Sequence, residues 1–262
     1  MALPHGRWAA GARLLDRDGA VRFDGYAWSR RFGRGASPTA VAFSPDGATA
    51  IIAARDALSR CLCDHDDGST RGAIVRLTFG EGAPVERELL AFDGTRFAVA
   101  ASPRGLAAIE ATTLRVWPAR GAHAPVVVAI EANGDFERLV WVGARYLVGQ
   151  RYVDPEHDEL VVFDREAAFA ATGHVSVTGS IQALAVRPGT TDELAVATSR
   201  YRAHATVEID EKAVQVLGLD GAVHAQVALD AEPIALAWNP AGTRLAVAVS
   251  TPTGAVIRYA VK

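Results

Sequence analysis

Cys61-Leu62-Cys63-Asp64-His65-Asp66-Asp67 is the densest run of thiol, imidazole and carboxylate side chains in the chain. These are ligand types for zinc or calcium. The spacing completes neither site. A Cys-x-Cys with one neighbouring histidine has no second ligand pair at finger spacing, and Asp64, Asp66 and Gly68 match only part of a twelve-residue calcium loop. The segment reads as an acidic loop with two thiols at its base, so neither metal nor cofactor is expected. Cys61 and Cys63 are the only cysteines and form no disulfide framework. No Gly-rich phosphate loop follows a strand and opens a helix, and no serine sits in a nucleophile elbow. No catalytic residue is therefore assigned.

Recognition chemistry is concentrated in three polar segments. Residues 55–72 carry Arg55, Arg60 and Arg71 among aspartates. Residues 151–159 carry Arg151, Tyr152, Asp154, Glu156, His157 and Asp158. Residues 199–212 carry Arg200, Tyr201, Arg202 and His204. Arginine and tyrosine bury large areas while keeping forked or terminal hydrogen-bonding groups, which suits them to protein interfaces. Arg55, Arg60, Arg71, Arg151, Tyr152, His157, Arg200, Tyr201 and Arg202 are the candidate contacts with a protein partner.

The elements that must position these segments repeat. An apolar run, a Pro/Gly turn and a second apolar run ending in small residues recur along the chain. Val41-Ala42-Phe43-Ser44-Pro45-Asp46-Gly47 leads into Ala50–Ala54, and Phe97–Ser102 with Pro103-Arg104-Gly105 leads into Leu106–Ile109. Ala183–Val186 with Arg187-Pro188-Gly189 leads into Leu194–Ala197, and Ala235–Trp238 with Asn239-Pro240-Ala241-Gly242 leads into Leu245–Val249. Leu139–Gly143 before Arg145–Val148 is a copy without the proline. Each pair is followed by further short β-branched runs, such as Thr113–Trp117 and Val126–Ile130, bounded by turn residues. The first two runs of each set are nearly unbroken apolar, as in strands buried between stacked sheets, and the third and fourth alternate more. A period of about fifty residues marks a propeller or another repeat array.

The expected fold is all-β, a β-propeller of five four-stranded blades in a single domain over residues 1–262. Residues 40–262 hold the repeats and residues 1–39 a closing segment. The last set has only three runs, 234–238, 245–249 and 255–259. An N-terminal strand, Ala12–Leu15 or Ala20–Phe23, is expected to pair with it and remove the open edge. Six blades are the alternative if residues 8–36 hold more strands. Arg165–Ala171 is the one segment with helical composition, and residues 24–38 look the least structured.

These repeats resemble WD-repeat β-propellers. Phe43-Ser44-Pro45-Asp46-Gly47 is similar to that family's turn between first and second strands, and Leu114-Arg115-Val116-Trp117 and Val161-Val162-Phe163-Asp164 look like its third strand. The Gly-His pair is missing from every repeat and no repeat has Trp-Asp, so the resemblance is to a divergent member. It implies that the connections from second to third strands share one rim with the links between blades. The three polar segments are those connections. Long connections on one rim are usually functional, so a rim that binds a protein is expected. Five-bladed propellers also include glycoside hydrolases with carboxylates at the channel mouth. Asp93, Asp135 and Glu232 near first strands give that alternative its residues, although each sits in a turn sequence or before a proline.

Bulk composition narrows the classes further. The chain has 262 residues, 50% hydrophobic, and a formal charge of −3, without the basic face a nucleic-acid binder needs. No stretch approaches the length of a membrane helix, and Met1–Ala10 has no signal-peptide core. A soluble cytosolic protein is expected. Lys212 and Lys262 are the only lysines, a bias that fits a GC-rich, bacterial coding sequence. In such bacteria, chains of this kind resemble propeller components of multi-gene regulatory or defence systems.

Overall fold

β-branched runs separated by turn residues become strands, and nearly every described residue is in one. The structure is a computed structural model that describes residues 8–10, 13–15, 21–30, 37–43, 49–55, 71–80, 84–93, 97–102, 105–110, 112–118, 124–131, 135–202, 208–252 and 254–260. Two compact units divide the chain, Met1–Val127 and Val128–Lys262.

In the first unit, β1 (Trp8–Ala10), β2 (Arg13–Leu15) and β3 (Val21–Asp24) form a three-stranded sheet. The Asp24 carboxylate caps the following α1 (Gly25–Ser29), accepting from the Tyr26 and Ala27 N–H groups at 2.9 and 3.2 Å. Next come β4 (Ser37–Phe43), β5 (Thr49–Arg55), β6 (Arg71–Thr78) and β7 (Val85–Asp93), paired in chain order. A third sheet contains β8 (Phe97–Ser102), β9 (Gly105–Glu110), β10 (Thr113–Pro118) and β11 (Val126–Ala129), whose end passes into the second unit. Phe23, Trp28 and Phe79 pack on buried Ile52, Val75 and Leu77, and the Trp28 indole donates to Glu86 at 2.8 Å. The N-terminal segment thus covers the sheet β4–β7.

The second unit holds three sheets. The first is β12 (Asp135–Val142), β13 (Tyr146–Asp154), β14 (His157–Asp164) and β15 (Ala170–Thr178). The second is β16 (Ser180–Val186), β17 (Glu193–Arg202), β18 (Glu208–Gly218) and β19 (Val223–Ala228). The third is β20 (Pro233–Trp238), β21 (Leu245–Thr251) and β22 (Gly254–Ala260). Every pair in these sheets is antiparallel.

Period-two alternation on β17 explains how these sheets stack. Leu194 and Val196 face one way, into a core with Val148, Leu160 and Val162 of the preceding sheet. Ala195 and Ala197 face the other way, against Leu245, Val247 and Val249 of the following one. Small residues on one face and large ones on the next let the layers interdigitate.

Together these features are those of an all-β chain of β-propeller class, with five repeat sheets over residues 37–260. Four have four strands and the last has three, as the sequence indicates. Two expectations change. Among the described residues of the N-terminal segment there is no single closing strand: β1, β2 and β3 hydrogen-bond with one another, and the sheet order β20-β21-β22 includes none of them. Residues 8–24 instead hold three short strands in a sheet of their own. Third strands are also inner rather than outer strands: β10 and β18 alternate as expected, with Leu114, Val116, Val214 and Val216 buried and Arg115 and Gln215 half-buried, whereas β14 buries Leu160, Val161, Val162 and Phe163 without a break. The Arg165–Ala171 segment makes a single 3-10 turn over Arg165–Ala167, ended by Ala168 and Phe169 at φ of 52° and 63°.

Candidate functional site

Charged residues that interrupt an apolar run look like a loop in one dimension. Here they pair across strands. Arg151 lies opposite Glu159, Tyr152 opposite Asp158 and Asp154 opposite His157, with a bulge between Tyr152 and Asp154. Residues 151–159 are therefore the tip of the β13–β14 hairpin rather than a long loop, and only Pro155 and Glu156 form the turn. Asp154 shapes that turn by accepting from the Glu156 N–H at 2.7 Å, and His157 Nδ1 lies 3.2 Å from the same oxygen. The Glu156 N–H, then His157, hold the Asp154 carboxyl below the usual carboxylate range. The 199–212 segment behaves likewise. β17 and β18 stay paired through Tyr201 with Ile209 and Arg202 with Glu208, leaving residues 203–207 outside the described set.

Beneath the tip lies a buried polar network centred on Gln150 and Asp158, which are 0% and 1% exposed. The Gln150 amide donates to Asp158 Oδ2 at 2.8 Å and to the Ile181 carbonyl at 3.2 Å. The Ile181 N–H donates to the same Asp158 oxygen at 2.7 Å. Arg138 donates to Gln150 Oε1 at 2.6 Å and to the Ile181 carbonyl at 2.7 Å. Side chains of β12, β13 and β14 thus grip both backbone groups of one residue in β16, the first strand of the next sheet. Burial raises the Asp158 carboxyl above its ordinary pKa and Glu137 adds to the rise, against the Ile181 and Gln150 hydrogen bonds and the Arg138 charge. Its Oδ1 has no hydrogen-bond partner among the described residues.

A second set of contacts fastens the tip to the neighbouring sheet. The Glu156 carbonyl accepts from the Gly179 N–H at 2.6 Å, and the Glu156 carboxylate pairs with Arg200 at 3.2 Å. Gly179 has φ of 87°, and a Cβ there would lie 3.0 Å from the Ser199 carbonyl oxygen, so only glycine fits the link between β15 and β16 without strain. Hairpin tip, inter-sheet link and β17 thereby form one continuous rim. It exposes Val153 and Glu156 and half-buries Tyr152, His157 and Arg200.

Of the candidate contacts, Tyr152, His157 and Arg200 come together on this rim. Arg151 does not present itself to solvent: it is 9% exposed and pairs with Glu159, whose other oxygen is 3.1 Å from His174. Tyr201 and Arg202 continue β17, with side chains outside the described residues. Arg55 ends β5 and Arg71 begins β6 in the first unit, and their side chains, like all of Arg60, are outside the described residues. The run Cys61–Asp67 is outside them too, and among the described residues no group of three or more His, Cys, Asp or Glu could hold a metal. Asp93 ends β7, Asp135 begins β12, and Glu232 precedes β20, where its carbonyl accepts from the Ser250 N–H at 2.7 Å. The side chains of Asp93 and Asp135 are outside the described residues.

The residues that sequence reasoning missed are Arg138 and Gln150, together with the buried role of Asp158. One signal was available: Gln150 is a lone amide at the end of the apolar run Leu147-Val148-Gly149. A buried amide needs partners on several sides.

No protein-family model matches the chain, and no curated protein does. Solved structures do. One in the crystal structure of the mitotic checkpoint complex aligns with a TM-score of 0.60 at 12% identity, over 94% of this chain and 68% of its own. The Cps50 (Swd1) β-propeller domain of Myceliophteria thermophila aligns with a TM-score of 0.56 at 12% identity, over 86% of this chain and 65% of its own. Hydrazine synthase of Kuenenia stuttgartiensis gives 0.56 at 12% identity, over 82% and 56%. The chain thus spans about two thirds or less of the structures it matches. At such identity the likeness concerns fold alone. With the sheet order it shows the β-propeller fold, and the turn and third-strand residues of the repeats resemble its WD-repeat form.

Proposed function

We propose that the protein is a non-enzymatic binding scaffold or regulatory subunit that offers the rim of its second unit to a protein partner. The observation that carries this is the fastening of the rim. Glu156 bonds both Gly179 and Arg200, so Tyr152, Val153 and His157 stand on a braced surface. Rigid presentation lowers the ordering cost of binding. An apolar and aromatic centre ringed by charges suits a protein surface. One matched structure comes from an assembly, the mitotic checkpoint complex, and a similar role as one component of a bacterial multi-gene system would suit a chain with no assigned catalytic residue.

The test is affinity purification from the native host, comparing wild type with a Tyr152→Ala, Glu156→Arg, His157→Ala variant. A stoichiometric partner that the variant loses, with its melting temperature within a few degrees of wild type, is the expected result. A partner retained by the variant removes the rim from the proposal. Wild type recovered alone removes the partner.

A further inference from the structure

A bulge on the outer strand β19 re-aims one histidine. Val216 lies opposite Ala225 and Leu217 opposite Val223, so His224 is the extra residue between them. Its ring reaches across β18 to β17, where Nδ1 lies 2.8 Å from Glu193 Oε1. The strand it crosses offers no side chain there, because Glu193 lies opposite Gly218. Burial opposes ionisation of Glu193, but hydrogen bonds from Arg187, at 2.7 Å, and from His224 outweigh it and hold the carboxyl below its ordinary range. A carboxylate only accepts, so Nδ1 carries the hydrogen and the neutral ring keeps its lone pair on Nε2.

A second donor atom meets that nitrogen over the same bare Cα. A Cβ on Gly218 would lie 3.4 Å from His224 Nε2 and 2.5 Å from Asp220 Oδ1. Asp220 is held there by its own turn, where Oδ1 accepts from the Ala222 N–H at 3.0 Å. Both residues are exposed. An imidazole nitrogen and a carboxylate oxygen are ligands for zinc, and a carboxylate on the other ring nitrogen is the support that a metal-bound histidine usually has. His174 supplies the contrast. Its Nδ1 lies 3.1 Å from Glu159, which pairs with Arg151 as Glu193 pairs with Arg187. A Cβ on the neighbouring Gly173 would meet Val162 and the Leu219 carbonyl oxygen instead of a carboxylate.

We propose that His224 Nε2 and Asp220 Oδ1 are the protein ligands of an exchangeable zinc site, with water completing the coordination. Glu193 is a positioning residue: it fixes the tautomer and the ring, and Arg187 fixes it in turn. Two protein ligands are fewer than a closed structural site uses, so the metal binds reversibly and keeps positions that a further ligand can take. Gly218 leaves both ligand atoms the space they share. Glu193 begins β17 and Arg200 lies near its far end, so this site is separate from the rim described above and does not depend on it.

The test is a titration of the full chain with zinc chloride, followed through the imidazole nitrogen resonances, with those of His224 assigned by their loss in His224→Ala. These signals report this site even where zinc also binds the Cys61–Asp67 run. A saturable shift at His224 Nε2, with Nδ1 still protonated, is the expected result. Asp220→Asn keeps the turn and removes the charge, and Gly218→Ala sets a Cβ against Asp220; each weakens zinc binding at His224 by roughly tenfold or more, and Glu193→Gln weakens it by about 10–100-fold. His174→Ala leaves it unchanged. Three results overturn the proposal: a His224 Nε2 signal that does not move in excess zinc, wild-type affinity in both Asp220→Asn and Gly218→Ala, or a His174 ring that responds at the same zinc concentrations as His224. If Gly218→Ala melts below the assay temperature, Asp220→Asn, in an exposed turn, decides the matter alone.

Discussion

At Asp158 one carboxylate oxygen takes two hydrogen bonds and the other takes none from the described residues. Protonation at the free Oδ1 leaves both bonds at Oδ2 intact, so the acid form keeps the grip on Ile181. Burial raises the folded-state pKa above that of the unfolded chain. The folded protein then binds the proton more tightly, and this residue's contribution to stability rises as pH falls from neutrality through the raised value, levelling off below the unfolded one. Asp158→Asn removes that dependence, so wild type gains on the variant as the solution is acidified, measured by urea unfolding at successive pH values. Asp158→Ala strands the Ile181 N–H and costs about 1–3 kcal/mol at neutral pH. Asp164 has the opposite sign. The Arg145 guanidinium, bonded to it at 2.5–3.0 Å, holds its carboxyl below the ordinary range. That stabilisation is present above the unfolded pKa and disappears as pH falls through the folded one. Wild type and Arg145→Ala therefore converge in strong acid.

Between elements, the Arg187 guanidinium ties sheet β16–β19 to sheet β20–β22. It donates to the Gly242 carbonyl at 2.8 Å, pairs with Glu193 at 2.7 Å and stacks 5.2 Å from the Trp238 ring centre. The turns it joins can be compared through their glycines. Gly189 and Gly242 have φ of 83° and 66°, but a Cβ on Gly189 meets nothing within 4 Å while one on Gly242 lies 2.5 Å from the Pro188 carbonyl oxygen. Gly189→Ala should cost about 1–2 kcal/mol, the price of the left-handed backbone alone, and Gly242→Ala clearly more, by thermal unfolding. Equal losses would show that the close approach relaxes freely. Pro-Gly turns and apolar runs made these sheets legible in the sequence. The hairpin tips were not legible, because Arg151 and Glu159 look solvated singly and become a half-sealed pair only in register. Register depends on partners distant in sequence, and hydrophobic periodicity along one strand does not encode it.

Over the whole molecule, a five-sheet repeat was readable from its period, while the separate pairing of β1, β2 and β3 was not. Strands of three or four residues give too short a pattern to choose a neighbour. The single-domain expectation predicts that residues 1–262 unfold in one calorimetric transition with matching calorimetric and van't Hoff enthalpies; two transitions would assign Met1–Val127 and Val128–Lys262 separate stabilities. The grip on Ile181 has a consequence for how such a chain changes over generations. Arg138, Gln150 and Asp158 hold only its N–H and carbonyl, groups that all residues but proline supply. The polar contact therefore asks for no particular side chain at this position, and what constrains Ile181 is its burial in the shared apolar core, where a similar aliphatic residue can stand in for it. A lineage joined this way can lose its shared signature residues one repeat at a time and keep its shape.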